Sequence, residues 1–169
     1  NKDLPFTQSF MPRDQAVEFF KKQNENFKIE LINGIPDEEV SIFSTGDEIV
    51  AIHEKPEEHQ IRSSNSAMLE AALRSHGFSP TVAHMKDEKS VVQQSLESAL
   101  AIHEILLLSG GVSAGKKDFI PEVLEKLGFK PLFHKISQKP GKPLYVGNRA
   151  DGKLVFAFPG NPISTLTCF

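Results

Sequence analysis

The sequence has almost no cysteine and no long apolar run. Cys168 is the single cysteine among 169 residues, which excludes an internal disulfide. The six histidines show no spacing typical of zinc ligands, so a zinc site is not supported. No apolar segment approaches the length that crosses a membrane. These absences predict a protein of a reducing compartment, cytoplasmic by default, with no membrane partner.

Net charge is also small, and it is unevenly distributed. The formal charge of -3 argues against a nucleic-acid partner. Between residues 116 and 153, however, nine lysines and arginines stand against four acidic residues, whereas the rest of the chain has ten against eighteen. This basic segment either contacts an anionic ligand or forms a solvated basic face.

Length and composition favour one domain. A chain of 169 residues with 39% hydrophobic content can bury one core and is short for two. Residues 1–39 carry one weak pattern, which predicts a short helix from Pro12 to Lys22, and are otherwise unassigned. We expect them to be a linker or the remnant of a preceding domain. Because the chain starts without methionine and stops inside an apolar run, we expect it to be a fragment of a longer polypeptide.

Predicted strands and helices alternate over residues 40–169. The expected strands span residues 40–43, 78–84, 105–108, 129–136 and 154–158. The expected helices span residues 67–74, 88–102 and 119–127, and a last one begins at Ile163. This order predicts an α/β domain in which a largely parallel sheet has helices on both faces. Its strand-to-helix loops should meet along one edge of the sheet.

A glycine-rich loop follows the most apolar of the predicted strands. Gly110, Gly111 and Gly115 permit positive φ angles and a close approach of the backbone to a ligand. The N–H groups of the next helix, two lysines and Asp118 at the helix start complete the expected anion site. A phosphate-bearing ligand would fit, although the loop is neither a Walker motif nor Gly-x-Gly-x-x-Gly. Alternatively, the glycines only turn the chain and Asp118 only caps the helix.

Acidic residues follow two other predicted strands. Residues 44–48 read Ser-Thr-Gly-Asp-Glu, and one of the acids Asp47 and Glu48 could hold a divalent cation or act as a general acid or base. A polar β-turn is the alternative. Asp87 follows the next strand, where it is the N-cap of a helix, an acid of the same site, or both.

Further polar residues lie in loops that could reach the same place. Ser64 and Asn65 precede a helix, so they line a pocket or cap that helix. Lys139 and Lys142 lie in a proline-rich, stiff loop that could hold both toward one anion. The turn Pro159–Pro162 closes the last predicted strand.

Four segments, in this order and spacing, resemble the molybdopterin molybdenumtransferases of the MoeA and gephyrin E-domain type. They read Ser-Thr-Gly-Asp-Glu at 44–48, Ser-Gly-Gly-Val-Ser-Ala-Gly-Lys-Lys-Asp at 109–118, Lys-Pro-Gly-Lys-Pro at 139–143 and Phe-Pro-Gly-Asn-Pro-Ile-Ser at 158–164. The resemblance covers roughly residues 40–169. It implies a molybdenum-cofactor-binding domain, a three-layer α/β/α sandwich that in the family is one domain of a larger dimeric enzyme.

The resemblance also implies an activity and a set of site residues. In the family such a domain holds molybdopterin, and molybdate is inserted into adenylylated molybdopterin with release of AMP, aided by Mg²⁺. Catalytic acids are implied at Glu48, Asp87 and Asp118, of which Glu48 and Asp118 would hold Mg²⁺. Pro159 and Pro162 would lie in a loop that binds molybdate. The residues implied to bind the cofactor are Thr45, Gly46, Ser64, Asn65, Gly110, Gly111, Ser113, Gly115, Lys139 and Lys142.

Partners and alternatives follow from the same resemblance. It implies a homodimer in the full-length protein and contacts with other proteins of molybdenum-cofactor biosynthesis. Two further enzymes on the same fold stay open, a molybdopterin adenylyltransferase and a nucleotide-processing enzyme. A non-catalytic scaffold, as in gephyrin, is the remaining alternative.

The first prediction concerns Asp118. In the full-length protein, Asp118→Ala should abolish molybdate insertion and leave the fold intact, because the change removes a site carboxylate at a loop position. A reconstitution assay of cofactor synthesis measures the effect. Retained synthesis would count against the catalytic role of this residue.

Overall fold

The computed structural model describes residues 11–12, 40–111 and 119–169. Within these ranges ten strands and four helices follow one another along the chain. The strands are β1 (Met11–Pro12), β2 (Val40–Thr45), β3 (Ile49–Val50), β4 (Ile61–Arg62), β5 (Thr81–Met85), β6 (Ile105–Ser109), β7 (Lys130–His134), β8 (Ile136–Ser137), β9 (Tyr145–Asn148) and β10 (Leu154–Phe158). The helices are α1 (Ser64–Ser75), α2 (Lys89–Leu100), α3 (Ile120–Lys126) and α4 (Pro162–Cys168).

Six of the strands form one mixed, mostly parallel sheet. Their spatial order is β5-β2-β6-β10-β9-β7. The four neighbours β5, β2, β6 and β10 are parallel, whereas β9 is antiparallel to both β10 and β7. Parallel strands need crossover connections, and α1, α2 and α3 lie in the connections between the parallel strands. The largely parallel sheet expected from the sequence is therefore confirmed.

Alternate residues of the central strands pack on opposite faces of the sheet. On one face, Ile42 belongs to a buried cluster with Leu69 of α1, and Cys168 of α4 packs against that cluster. On the other face, Phe43 belongs to a cluster with buried residues of α2 and α3, among them Leu96. Because both faces are covered, every residue of β2 is buried. Two helices on each face make the three-layer α/β/α sandwich that was expected.

The second half of the sheet differs from the prediction in two places. β9 was not predicted, because Tyr145–Asn148 is short, contains a glycine and lies between a proline-rich loop and a polar turn. It forms a hairpin with β10. The strand predicted over residues 129–136 divides into β7 and β8, since Lys135 has a φ of 67° and interrupts the extended backbone.

The described part of the N-terminal segment consists of two residues. Met11 and Pro12 form β1, which pairs in parallel with β8. A helix beginning at Pro12 is therefore wrong, because that residue is extended. The rest of the predicted helix lies outside the described residues. Within the described ranges, no helix is both long and apolar enough to span a bilayer.

The register of the parallel strands brings their carboxyl ends to one level. Ser44 of β2 lies opposite Ser109 of β6, and Ser109 in turn lies opposite Phe158 of β10. On the other side of β2, Thr45 lies opposite Met85 of β5. The loops that follow these four strands therefore leave the sheet along one edge, where open α/β sheets bind their ligands.

The second prediction tests the central core. Leu108 of β6 is completely buried, so Leu108→Ala should lower the free energy of unfolding by about 2–5 kcal/mol through lost burial and a cavity. Ile102, which is 70% exposed, supplies a control, because Ile102→Ala should cost less than about 0.5 kcal/mol. Urea denaturation of the two variants measures both values. Equal losses would contradict the assignment of β6 to the centre of the sheet.

Candidate functional site

A cavity of about 370 Å³ opens where the parallel strands end. Its volume lies within the range of small-molecule sites, roughly 300–1,000 Å³. The loops after β2, β5, β6 and β10 contribute to its wall, as do β3, β4 and the start of α1. The lining residues are Ser44, Thr45, Gly46, Glu48, Ile49, Ile61, Arg62, Ser63, Ser64, Asn65, Asp87, Ser109, Gly110, Gly111, Gly160 and Pro162.

The side-chain amide of Asn65 joins three parts of this wall. Its Nδ2 donates hydrogen bonds to Ser109 Oγ at 2.8 Å and to the carbonyl oxygen of Gly160 at 2.8 Å. The carbonyl can only accept, so the amide nitrogen must face it and the orientation of the amide is fixed. Asn65 is 8% exposed, and its Oδ1 accepts no hydrogen bond from the described residues. The first turn of α1 is thereby tied to the ends of β6 and β10.

Two glycines let the β6 loop approach its neighbours closely. Gly110 has a φ of 95°, and a Cβ there would lie 2.9 Å from the carbonyl oxygen of Thr45. Gly111 has a φ of 69°, and a Cβ there would lie 2.6 Å from Cγ1 of Ile120. The positive φ angles predicted for these two glycines are confirmed, whereas the predicted approach of their backbone to a ligand stays a prediction.

The acids of the first two loops lie in the same cavity. Glu48 and Asp87 both line it. Glu48 folds back over the preceding turn, since a Cβ on Gly46 would lie 3.0 Å from each of its carboxylate oxygens. The backbone N–H of Asp87 donates to Asp47 Oδ1 at 3.3 Å, which links the two loops. The structure therefore places two carboxyl groups beside one pocket.

Helix capping does not explain the polar residues ahead of α1 and α2. The N-cap of α2 is Glu88, not Asp87, so the capping interpretation of Asp87 is wrong. The N-cap of α1 is Ser63, and its side chain makes no capping hydrogen bond. The first N–H groups of α1 thus have no side-chain cap at the pocket wall. Ser64 and Asn65 line the pocket, which is the other interpretation left open by the sequence.

A cation that sequence reasoning missed lies at the pocket. Arg62 of β4 is, among the described lining residues, the single arginine or lysine. Its Nε donates to the carbonyl oxygen of Glu54 at 3.1 Å. The signal in the sequence was weak, because an arginine next to a serine-rich segment resembles an ordinary exposed residue. Its place became visible only from the pairing of β4 with β3, which directly follows Glu48.

The structure does not place the two predicted lysines in the lining of the cavity. Their loop packs instead against the end of α4, where Cys168 Sγ donates to the carbonyl oxygen of Gly141 at 3.4 Å. Along α4, Cys168 is about 9 Å from Pro162, which does line the cavity. Burial raises the pKa of the Cys168 thiol, so it is a poor nucleophile. The contact of Lys139 and Lys142 with an anionic ligand stays a prediction.

The molybdate loop expected from the resemblance has one proline that lines the cavity and one that does not. Pro162 lines the cavity, whereas Pro159 is buried and its carbonyl oxygen accepts a 2.7 Å hydrogen bond from Thr165 Oγ1. Asn161 caps α4, because its Oδ1 accepts from the N–H of Ser164 at 3.2 Å. The turn is therefore held rigidly, and its role toward molybdate remains untested.

Three predicted site residues, Ser113, Gly115 and Asp118, lie outside the described residues. Their roles stay predictions, as does the anion site that they would complete. Among the residues that are described, no group of three or more His, Cys, Asp or Glu side chains could hold a metal ion.

Comparisons with known proteins agree on one family. Residues 41–169 match the family model described as "Probable molybdopterin binding domain". The chain is 42% identical over 131 residues to a molybdopterin molybdenumtransferase of Synechocystis, a match covering 76% of this chain and 34% of that protein. It is 34% identical to a protein of the same name from Staphylococcus epidermidis, over 77% of this chain and 31% of that one.

A solved structure that is similar to this chain carries a related name. A molybdopterin biosynthesis MoeA protein from Pyrococcus horikoshii superposes with a TM-score of 0.69 at 29% identity. The match covers 86% of this chain and 37% of that one. The chain therefore spans about a third of the length of the curated relatives it matches.

The third prediction tests the close approach at Gly110. Gly110→Ala adds a Cβ both at a φ of 95° and against the Thr45 carbonyl, whereas Gly152→Ala meets nothing within 4 Å at a φ of 93°. In both variants the free energy of unfolding should fall by roughly 1–2 kcal/mol, because alanine is strained at a positive φ. Gly110→Ala should lose about 1–3 kcal/mol more, because the backbone must move apart. Urea denaturation measures the difference, and equal losses would show that the two loops do not touch.

Proposed function

The chain belongs to the family of probable molybdopterin-binding domains, and on that basis we propose that it is the cofactor-binding domain of a molybdopterin molybdenumtransferase. The curated relatives carry that name, so the proposed role is in molybdenum-cofactor biosynthesis. In the full-length protein we expect a cytoplasmic homodimer that works with other proteins of that biosynthesis.

One observation carries this proposal most strongly. Three turns from distant parts of the chain, whose sequences resemble the family, contribute Thr45, Gly110 and Pro162 to a single cavity. Asn65 holds two of the three walls together through its hydrogen bonds to Ser109 and Gly160. Glycine-rich loops and hydroxyl groups suit a polar, anionic small molecule, and the carboxyl groups suit a cation bound together with it.

The proposed reaction inserts molybdate into adenylylated molybdopterin and releases AMP. Such a reaction needs no nucleophile from the protein, because the sulfurs that bind molybdenum belong to the pterin. The protein has to bind two anions beside each other and orient the pyrophosphate bond that breaks. Backbone N–H groups of the glycine loop and the uncapped start of α1 would supply donors to these anions.

The donor set fits a magnesium ion. Mg²⁺ is commonly held by one or two carboxylates, and water molecules and substrate phosphates complete its shell. Glu48 lines the cavity together with Ser44 and Thr45, and the resemblance assigns Asp118 as the second carboxylate. The ion would neutralise the pyrophosphate charge during cleavage. Asp87, which also lines the cavity, would act on the substrate as an acid or base.

The fourth prediction uses calorimetry with molybdopterin, adenylylated molybdopterin and AMP. The chain should bind both pterins, and Mg²⁺ should tighten binding of the adenylylated form, whose pyrophosphate can ligate the ion. Glu48→Gln should remove most of this Mg²⁺ effect, because it removes a carboxylate from the cavity wall. Glu58→Gln, which changes an exposed acid that lies between β3 and β4 and does not line the cavity, should keep the Mg²⁺ effect.

The outcomes separate the remaining alternatives. Binding of neither pterin would refute the proposed function and leave the scaffold alternative. Formation of adenylylated molybdopterin from ATP by the full-length protein would instead indicate an adenylyltransferase. Release of AMP only when molybdate is added would support the transferase proposed here.

A further inference from the structure

The cavity presents two carboxyl groups to a ligand that should itself be strongly anionic. Glu48 and Asp87 both line the wall, so an anion entering without a compensating cation meets like charge. Lys139 and Lys142, which the sequence offered for this purpose, do not line the cavity. Among the described lining residues, the positive side chain is that of Arg62.

Arg62 is held in place by its surroundings. The N–H of Ile61 donates to the carbonyl oxygen of Glu48 at 2.7 Å, and the N–H of Ser63 donates to that of Val50 at 2.8 Å. Arg62 lies between these two bonds, so its backbone is fixed beside the segment that follows Glu48. Its Nε is engaged by the Glu54 carbonyl at 3.1 Å, which anchors the guanidinium by that nitrogen. That bond does not use the two terminal amino groups of the guanidinium, and a planar fork of this kind suits a phosphate oxygen pair.

The residues after Arg62 add to the same wall. Ser63 and Ser64 open α1, a helix of twelve residues whose N-cap side chain makes no capping hydrogen bond. Asn65, more than nine-tenths buried, leaves its Oδ1 without a donor from the described residues. Asn65 lines the cavity, but this oxygen itself is enclosed, so a buried water molecule rather than a direct ligand contact would complete its hydrogen bonding.

From this arrangement we propose that Arg62 recognises a phosphate group of the bound pterin and determines the preference of the site for a phosphorylated ligand. The inference rests on the proposed function, because it assigns a residue to the ligand of that same cavity. Arg62 thereby offsets the charge of Glu48 and Asp87. It also gives the site a phosphate contact outside the glycine loop, on the segment between β4 and α1.

The fifth prediction is a binding cycle with two ligands and four proteins. Calorimetry would measure the affinity for molybdopterin and for its dephosphorylated form. The proteins compared are the unaltered chain and the variants Arg62→Gln, Arg62→Lys and Arg74→Gln. Arg74 is the matched control, because it is exposed on α1, pairs with Glu70 at 2.9 Å and does not line the cavity. Arg62 is itself exposed, so none of these changes should alter the thermal midpoint appreciably.

Arg62→Gln should weaken molybdopterin binding about ten-fold at low salt, in line with one lost charge-assisted contact. The loss should shrink as salt is raised, since the guanidinium is exposed and screened. Arg62→Lys should recover part of the affinity, because it keeps the charge without the fork. The dephosphorylated ligand should bind the unaltered chain and Arg62→Gln equally, and Arg74→Gln should change nothing.

Two results would overturn the assignment of Arg62 while leaving the proposed function intact. One is equal binding of molybdopterin by the unaltered chain and Arg62→Gln. The other is an equal loss for the phosphorylated and dephosphorylated ligands, which would mean that Arg62 acts on another part of the pterin. Failure of the unaltered chain to bind molybdopterin at all would refute both the proposed function and the assignment.

Discussion

The hydrogen bonds of one buried amide hold the candidate site together. Asn65 Nδ2 bonds Ser109 at the end of β6 and the carbonyl of Gly160 after β10, 44 and 95 residues away along the chain. A buried amide that lost these partners would cost about 1–3 kcal/mol for each unpaired group. The relative positions of α1, the glycine loop and the last turn therefore depend on one largely buried side chain of the cavity wall.

The cavity wall carries charged side chains of both signs, which come from different segments. The carboxyl groups of Glu48 and Asp87 come from the ends of β2 and β5, whereas the guanidinium of Arg62 comes from the small β3–β4 pair between them in sequence. Such a wall can hold both a metal ion and an anionic ligand, because the carboxyl groups attract the ion and the guanidinium attracts the anion. The proposed substrate, which combines phosphate groups with a metal-binding requirement, has this mixed character.

The fold was predictable from the sequence because its signals are local and strong. Apolar runs such as Leu106 to Leu108 and the amphipathic pattern of α2 identify a doubly covered sheet without knowledge of long-range contacts. The convergence of the polar turns followed from the rule that parallel strands end together. β9 escaped prediction because its pairing with β10, rather than its own composition, makes it a strand.

The site was predictable in part for the same reason. Gly110 and Gly111 were recognised because only a few backbone geometries require glycine. Glu48, Asp87 and Asn65 were recognised because each lies at or just beyond the end of a strand or helix. Arg62 was missed because its approach to the cavity depends on a two-residue strand pair. The position of the Lys139–Lys142 loop depends on tertiary contacts with α4 that no periodicity reveals.

The last strand along the chain, β10, occupies an interior position in the sheet, between β6 and β9. A partly synthesised polypeptide that lacks Leu154–Phe158 therefore leaves β6 with an open edge, and Asn65 has no Gly160 carbonyl to bond. Non-local pairing of this kind is slow and late in folding. Gly160 and Pro162 of the cavity wall follow this strand, so the complete cavity can form only in a chain that already contains β10.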